Sequence, residues 1–269
     1  DVLHVRCPAN LSGLALAVLR ARRDRRPLWV KYAGNWRPDG PEPWSYRTQR
    51  SWLRTGWGTV AVTVNGRTPG DGTHVRSFPN PSLTADDLVA GAAAAAAKPS
   101  PDPLRLAFVG RLVTDKGPAT AAEVAVRLRA QGRDVVLDVV GDGPERVEGP
   151  GVVNHGWLDG DGVRRVLADA HLLLLPSRTE GWPKVLSEAM AFGAVPVAPD
   201  ISVIGEVFRE TGAGLLAADR SASAFLDAID GADLATARQA GLAAAPRFTF
   251  DAYLHEVDSL LADRWGIGR

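Results

Sequence analysis

Along the second half of the chain, short apolar runs alternate with longer segments whose apolar residues recur at helical spacing. Strands are expected over 105–109, 135–140, 152–154, 172–175, 195–198 and 214–217, and helices over 118–130, 161–169, 183–192, 202–209 and 221–230. Such alternation calls for a parallel sheet with helices on both faces. The run Leu172-Leu-Leu-Leu175, ended by Pro176, has the continuous apolar character of a parallel strand buried on both faces. After it, Pro183 suits the first turn of a helix, where a missing N–H costs nothing. Val185, Leu186, Ala189 and Met190 form the apolar stripe of that helix, and Gly193 closes it.

The first part of the chain is a shorter version of the same pattern. Strands are expected near 2–6, 28–33, 59–64 and 73–78, with helices near 11–23 and 44–55. At 91–103, GAAAAAAKPSPDP, an alanine run meets three prolines, and this predicts an extended linker. The expected organisation is therefore a domain over 1–90, a linker over 91–103, a second domain over 104–245 and a terminal segment over 246–269. That segment holds an amphipathic helix with Tyr253, Leu254, Val257, Leu260 and Leu261 on one face.

Composition narrows the chemistry. The 269 residues are 45% hydrophobic, with 31 basic and 31 acidic side chains. Balanced charge argues against nucleic acid as the main partner. No apolar run is long enough to cross a bilayer. A single cysteine, Cys7, excludes an internal disulfide and a cysteine-rich metal site, which fits a cytoplasmic protein. Lysine is scarce: Lys31, Lys98, Lys116 and Lys184 are the whole set. Two of the four fall inside candidate site motifs.

Two segments carry candidate chemistry. Gly110-Arg111-Leu-Val-Thr-Asp-Lys116-Gly117 follows a strand and opens a helix, so backbone N–H groups and two cations meet at one mouth, a combination suited to an anion. The second is the strand–turn–helix unit at 172–193. It carries Glu180 in the turn and Glu188 about a turn and a half into the helix. Open α/β sheets bind ligands at that edge. A solvated pair of cations, and a surface Glu180 with Glu188 paired to Lys184, are the plain alternatives.

The segment Glu180-GWPKVLS-Glu188, with its Ala-Met-Ala-x-Gly-x-x-Pro-Val continuation, resembles the signature of the family-4 (group 1) retaining glycosyltransferases. The resemblance implies a GT-B-like α/β fold with two Rossmann-like, doubly wound parallel-sheet domains, the first of them partial here. It also implies transfer of a sugar from a UDP- or GDP-linked donor, with no cofactor and no metal required. Arg111 and Lys116 match the family's Arg, four residues, Lys pattern, which holds the donor diphosphate. Glu188 is implied to accept hydrogen bonds from the ribose hydroxyls, and Glu180 to face the donor sugar. Gly110, Gly181, Trp182 and Pro183 complete the implied nucleotide-sugar site; Trp182-Pro183 departs from the commoner pair and would narrow the sugar pocket. Gly141-Asp142-Gly143-Pro144 matches a family turn but reads as structural. Asn154-His155-Gly156-Trp157 lies where the family contacts the base.

The resemblance covers the second domain fully and the first only in part. Asp1 to Pro8 looks like the family's mid-domain strand, so the chain reads as a fragment, with a minimal enzyme or one completed by another chain as further readings. Where many relatives carry a second histidine, this strand reads His4-Val5-Arg6. Arginine cannot serve as a base at neutral pH. Arg6 then binds phosphate or acceptor, or the subfamily works without that histidine; His4 is expected to point inward. The loop after 28–33 offers Asn35, Trp36 and Arg37 as an acceptor platform, with core packing the commoner fate of such a tryptophan. The acceptor would be a glycan, lipid or small metabolite. Arg20, Arg22, Arg23, Arg25 and Arg26 would form a basic patch for peripheral membrane contact, or a solvated helix end. The alternative to a transferase is a truncated or degenerate nucleotide-sugar-binding module. A nucleotide-sugar epimerase is a further rival. A Rossmann dehydrogenase is set aside because no Gly-x-Gly-x-x-Gly turn opens either sheet.

Overall fold

The computed structural model describes every residue except Asp39, Arg67 and Arg269. It divides into two compact units. The first comprises Asp1–Asn80, Glu180–Trp182 and Asp251–Arg269; the second comprises Pro81–Thr179 and Pro183–Phe250.

The first unit is built on four parallel strands in sequential order: β1 (Leu3–Cys7), β2 (Leu28–Tyr32), β3 (Val60–Val64) and β4 (Val75–Ser77). β2 and β3 are apolar on the side facing α1 (Asn10–Ala21) and α2 (Trp44–Thr55), where Leu16 and Leu53 are fully buried among the strand valines. The helical residues of the terminal segment, from Asp251 to Trp265, cover a second cluster containing Phe78, Ala61 and Leu260. Tyr253 and Val257 pack there, but Leu254, expected on the same face, is largely exposed. Arg264 donates to the Val60 carbonyl at 3.1 Å and Trp265 to the Thr59 carbonyl at 2.9 Å, which fastens the helix end to β3.

The second unit holds six parallel strands: β5 (Leu104–Val109), β6 (Val135–Val140), β7 (Val152–Gly156), β8 (Leu172–Leu174), β9 (Val195–Pro199) and β10 (Leu215–Ala217). Their order is β10-β9-β8-β5-β6-β7. The chain builds outward from β5 in one direction and from β8 in the other, so a topological switch point lies between those two strands. Right-handed crossovers then place α4 (Pro118–Ala130) on one face and α5 (Gly160–Asp169) and α6 (Lys184–Ala191) on the other. α7 (Ser202–Thr211) and α8 (Ala222–Ile229) complete the alternation, and α8 packs beside α4. Leu172, Leu173 and Leu174 are wholly buried, as a central parallel strand requires.

Two expectations are corrected. The linker expected over 91–103 is in part a helix, α3 (Ala85–Ala96), started by a capping box between Thr84 and Asp87; only residues past it are extended. The chain accordingly passes from the first unit to the second after Asn80, not near residue 90. The alanine run serves close packing: a Cβ on Gly91 would lie 2.2 Å from the Ala191 carbonyl oxygen of α6. The stretch between 230 and 246, to which the sequence pattern assigned no element, holds α9 (Leu234–Ala244), capped by Asp233, whose side chain accepts from the Ala235 and Thr236 N–H groups.

Candidate functional site

In the second unit the loops after β5 and β8 flank the switch point, where open α/β sheets take their ligands. Backbone contacts lock these loops together. Gly117 ends the first loop in a left-handed conformation (φ 71°), and a Cβ there would lie 2.7 Å from the Pro176 carbonyl oxygen. The Arg178 N–H donates to the Asp115 carbonyl at 2.8 Å. Arg220 bridges both loops, its Nε donating to the Pro176 carbonyl at 2.9 Å and its Nη2 to the Thr114 carbonyl at 3.0 Å. Sequence reasoning missed Arg220; its position just past the carboxyl end of β10 was the only available signal.

The loop after β6 supports the one after β5. The Gly110 N–H donates to the Val140 carbonyl at 3.0 Å, and the Leu112 N–H to the Asp142 carbonyl at 2.9 Å. Cβ atoms on Gly141 and Gly143 would lie 1.9 Å from the Gly110 oxygen and 2.2 Å from the Leu112 oxygen. Backbone passes against backbone here, so neither position has room for a side chain.

On this frame the five expected site residues of the second unit fall as follows. Gly110 and Arg111 open the β5 loop, with Arg111 exposed, and Lys116 lies half-buried near its end. Pro183 is the cap residue of α6, one position before the helix. Glu188 is half-buried in the second turn of α6. Burial pushes its carboxyl above the usual range; Arg164 and Lys184 oppose the shift and Asp87 adds to it. Lys184, expected as its partner on the same helix, thus acts on it less strongly than Arg164 of α5. The other three expected residues, Glu180, Gly181 and Trp182, group with the first unit. Trp182 is buried at 6% exposure, and a Cβ on Gly181 would lie 2.9 Å from the Ala33 carbonyl oxygen.

Elsewhere the structure separates side chains the sequence left open. His155 lies on β7 with Nε2 2.8 Å from Asp138 Oδ1. His4, expected to point inward, is exposed, with its ring 4.5 Å from that of Trp29. Trp36 belongs to the core, 2% exposed, with Nε1 donating to Asp71 at 2.9 Å, so it offers no acceptor platform. Arg37 donates to the Pro69 carbonyl at 2.6 Å. In the basic run, Arg20 lies over the Trp52 and Trp57 rings and Arg26 pairs with Asp24 at 2.7 Å. Among the described residues no helix is long and apolar enough to cross a membrane.

Residues 103–232 match the family model described as glycosyl transferases group 1. That stretch is a group 1 glycosyl transferase domain. The domain is similar to the putative teichuronic acid biosynthesis glycosyltransferase TuaC of Bacillus subtilis, at 34% identity over 124 residues, covering 45% of this chain and 31% of that protein. It is also similar to the 2-deoxystreptamine glucosyltransferase of Streptomyces kanamyceticus, at 30% identity over 123 residues, 42% of this chain and 32% of that protein. The matched stretch thus spans about a third of the length of these curated relatives. Among solved structures, sucrose-phosphate synthase of Thermosynechococcus elongatus superposes with a TM-score of 0.70 at 19% identity, over 98% of this chain and 74% of that one. HepE of Anabaena in complex with UDP-glucose gives a TM-score of 0.68 at 17% identity, over 97% and 78%. The fold around the group 1 domain is GT-B.

Proposed function

We propose that this chain is a retaining glycosyltransferase that takes its sugar from a nucleotide diphospho-sugar, UDP- or GDP-linked, through its group 1 domain. The observation that carries the reading is the locked pair of loops at the β5/β8 switch point, with Arg111 and Lys116 in one and the Glu188-bearing helix following the other. The complex of HepE with UDP-glucose, a protein of the same fold, supports the choice of donor.

In this reading the Gly110–Lys116 loop receives the diphosphate. As the bond between the anomeric carbon and the bridging oxygen breaks, negative charge builds on the diphosphate, and Arg111 and Lys116 stabilise it. Glu188 accepts hydrogen bonds from the ribose hydroxyls, for which a carboxylate with two acceptor oxygens is suited. Glu180 holds the donor sugar's hydroxyls. The acceptor hydroxyl attacks the same face the diphosphate leaves, passing its proton to the departing phosphate, and the anomeric configuration is retained. The rigid frame serves this chemistry because it spends no free energy on ordering the loops when the donor arrives.

Calorimetric titration with UDP, GDP and their common sugar conjugates tests the reading, with product analysis against candidate acceptors. One nucleotide should bind, and Lys116→Ala and Glu188→Ala should each weaken it by roughly tenfold to a hundredfold, the value of one or two charge-assisted contacts. A folded chain that binds none of these ligands overturns it.

A further inference from the structure

On one face of the first unit's sheet, β1 and β2 run in parallel register, with His4 beside Trp29 and Arg6 beside Lys31. The His4 and Trp29 rings lie 4.5 Å apart, and residues two positions on project from the same face. Arg6 and Lys31 are therefore neighbours, two cations on strands about 4.8 Å apart. Arg6 is exposed, whereas Lys31 is buried at 3% exposure. Lys31 Nζ donates to the Phe78 carbonyl at 2.9 Å and to Asn65 Oδ1 at 3.4 Å, both neutral. Among the described residues no carboxylate acts on Lys31; burial first, and Arg6 second, hold its ammonium down to about 7. Asn65, just past β3, is buried as well, and its Nδ2 has no hydrogen-bond partner among the described residues. Space beside that N–H is kept by a glycine: a Cβ on Gly181 would lie 3.5 Å from Nδ2.

Two like charges side by side and an unsatisfied buried N–H are each unfavourable in a protein without ligand. One group relieves both. We propose that Arg6, Lys31 and Asn65 form an anion site at the carboxyl edge of this sheet, and that it holds a phosphate group carried by the acceptor. A phosphate dianion matches two cations, and its oxygens accept from donors arriving in different directions. Arg6 meets it from the open side, with Lys31 and Asn65 beneath. In the proposed transferase the donor's diphosphate has Arg111 and Lys116 of the second unit, so an anion held by the first unit belongs to the other substrate. The assignment to the acceptor rests on that reading; the anion site itself does not.

Two measurements separate those parts. In the first, inorganic sulfate, a dianion at every pH used, is titrated calorimetrically into the Arg111→Ala, Lys116→Ala protein, which lacks the cations proposed for the donor. Sulfate should still bind, and adding Arg6→Gln or Lys31→Met should weaken it roughly tenfold or more. Binding should be tighter at pH 6.5 than at pH 8.5, and Lys31→Met should flatten that difference, although His4 and Tyr253, the other titratable groups that Arg6 acts on, remain. Because Arg6 is exposed, Arg6→Gln covers the case in which the methionine variant fails to fold. Sulfate binding that both first-unit substitutions leave unchanged, or none at all in folded protein, overturns the site. In the second, transfer from UDP- and GDP-sugars to hexose phosphates is compared with transfer to the parent hexoses and hexuronates. Arg6→Gln should raise KM for the hexose phosphate roughly tenfold or more and leave the donor KM within about twofold. A rise in the donor KM instead, an equal loss for neutral acceptors, or a larger one for hexuronates overturns the acceptor assignment. If sulfate binds as expected but no nucleotide sugar does, the transferase reading fails and the anion site stands.

Discussion

The two units share one architecture but bury opposite charges. Among the described residues, the charged residues buried as a whole in the first unit are cations, Lys31 and Arg50, although the Asp71 side chain is also buried there against Arg54 and Trp36; those of the second are anions, Asp87 and Asp138. Each buried anion is held by an arginine, Arg164 or Arg105, and Asp138 has His155 as well. Arg50 has Glu42 as its partner, but Lys31 has only neutral acceptors: the Phe78 carbonyl at 2.9 Å and Asn65 Oδ1 at 3.4 Å. If the second unit receives a diphosphate as proposed, it gains from this arrangement. Its buried carboxylates are neutralised locally, and cations such as Arg111 remain at the surface for a ligand to meet.

The comparison breaks most visibly at Asp138. Arg105→Met would leave that carboxylate buried in the middle of β6 with only His155 beside it. Removing one partner of a buried pair is costly, and because Arg105 is itself a third exposed the low end of the range applies, about 3 kcal/mol. Urea unfolding of the two proteins should show this loss. A change below about 0.5 kcal/mol would mean that water already reaches Asp138, and the contrast between the units would lose its clearest case.

Gly91 gives the next largest effect and opposes a rule of thumb. Alanine favours a helix interior over glycine by about 1 kcal/mol, so Gly91→Ala should stabilise α3 if propensity decides. The Ala191 oxygen 2.2 Å from the added Cβ predicts the reverse, a net loss of about 2 kcal/mol in the thermal or urea midpoint. The same residue shows where the sequence was legible and where it was not. Strand–helix alternation and the Leu172–Leu175 run disclosed the sheets, because burial on both faces leaves a local apolar pattern. The Gly110–Lys116 and Glu180–Glu188 segments could likewise be located because their spacing is local. The alanine run at 91–97 could not be read, since small residues suit both a loose linker and a helix pressed onto another, and only the α6 backbone decides between them. Arg164 and Arg220 were hidden for a related reason: their partners lie 77 and 106 residues away or at comparable separations, and nothing near them in sequence names those partners. Trp36 reversed an option in the other direction, since its fate turned on Asp71, a residue 35 positions on.

The smallest expected effect belongs to Lys31, and it appears as a slope. Burial first, and Arg6 second, hold the Lys31 ammonium down to about 7 in the folded protein. The unfolded chain keeps that proton up to about pH 10.4. Between those values the unfolded state binds more protons, so the Lys31 contribution to stability rises with pH; below pH 7 both states are protonated and the full cost of burying the charge is present. Lys31→Met removes this term. Relative to the variant, the unmodified protein should therefore gain roughly 1–2 kcal/mol of stability between pH 7 and pH 9, after allowance for relaxation around the site. Taking the difference between the two proteins cancels Lys98, which burial holds down to about 8 and which titrates in the same window. Parallel stability curves would mean that Lys31 stays charged in the fold, with Asn65 and the Phe78 carbonyl enough to hold it. The first unit would then bury a cation as comfortably as the second buries its anions, and the difference between them would be one of sign alone.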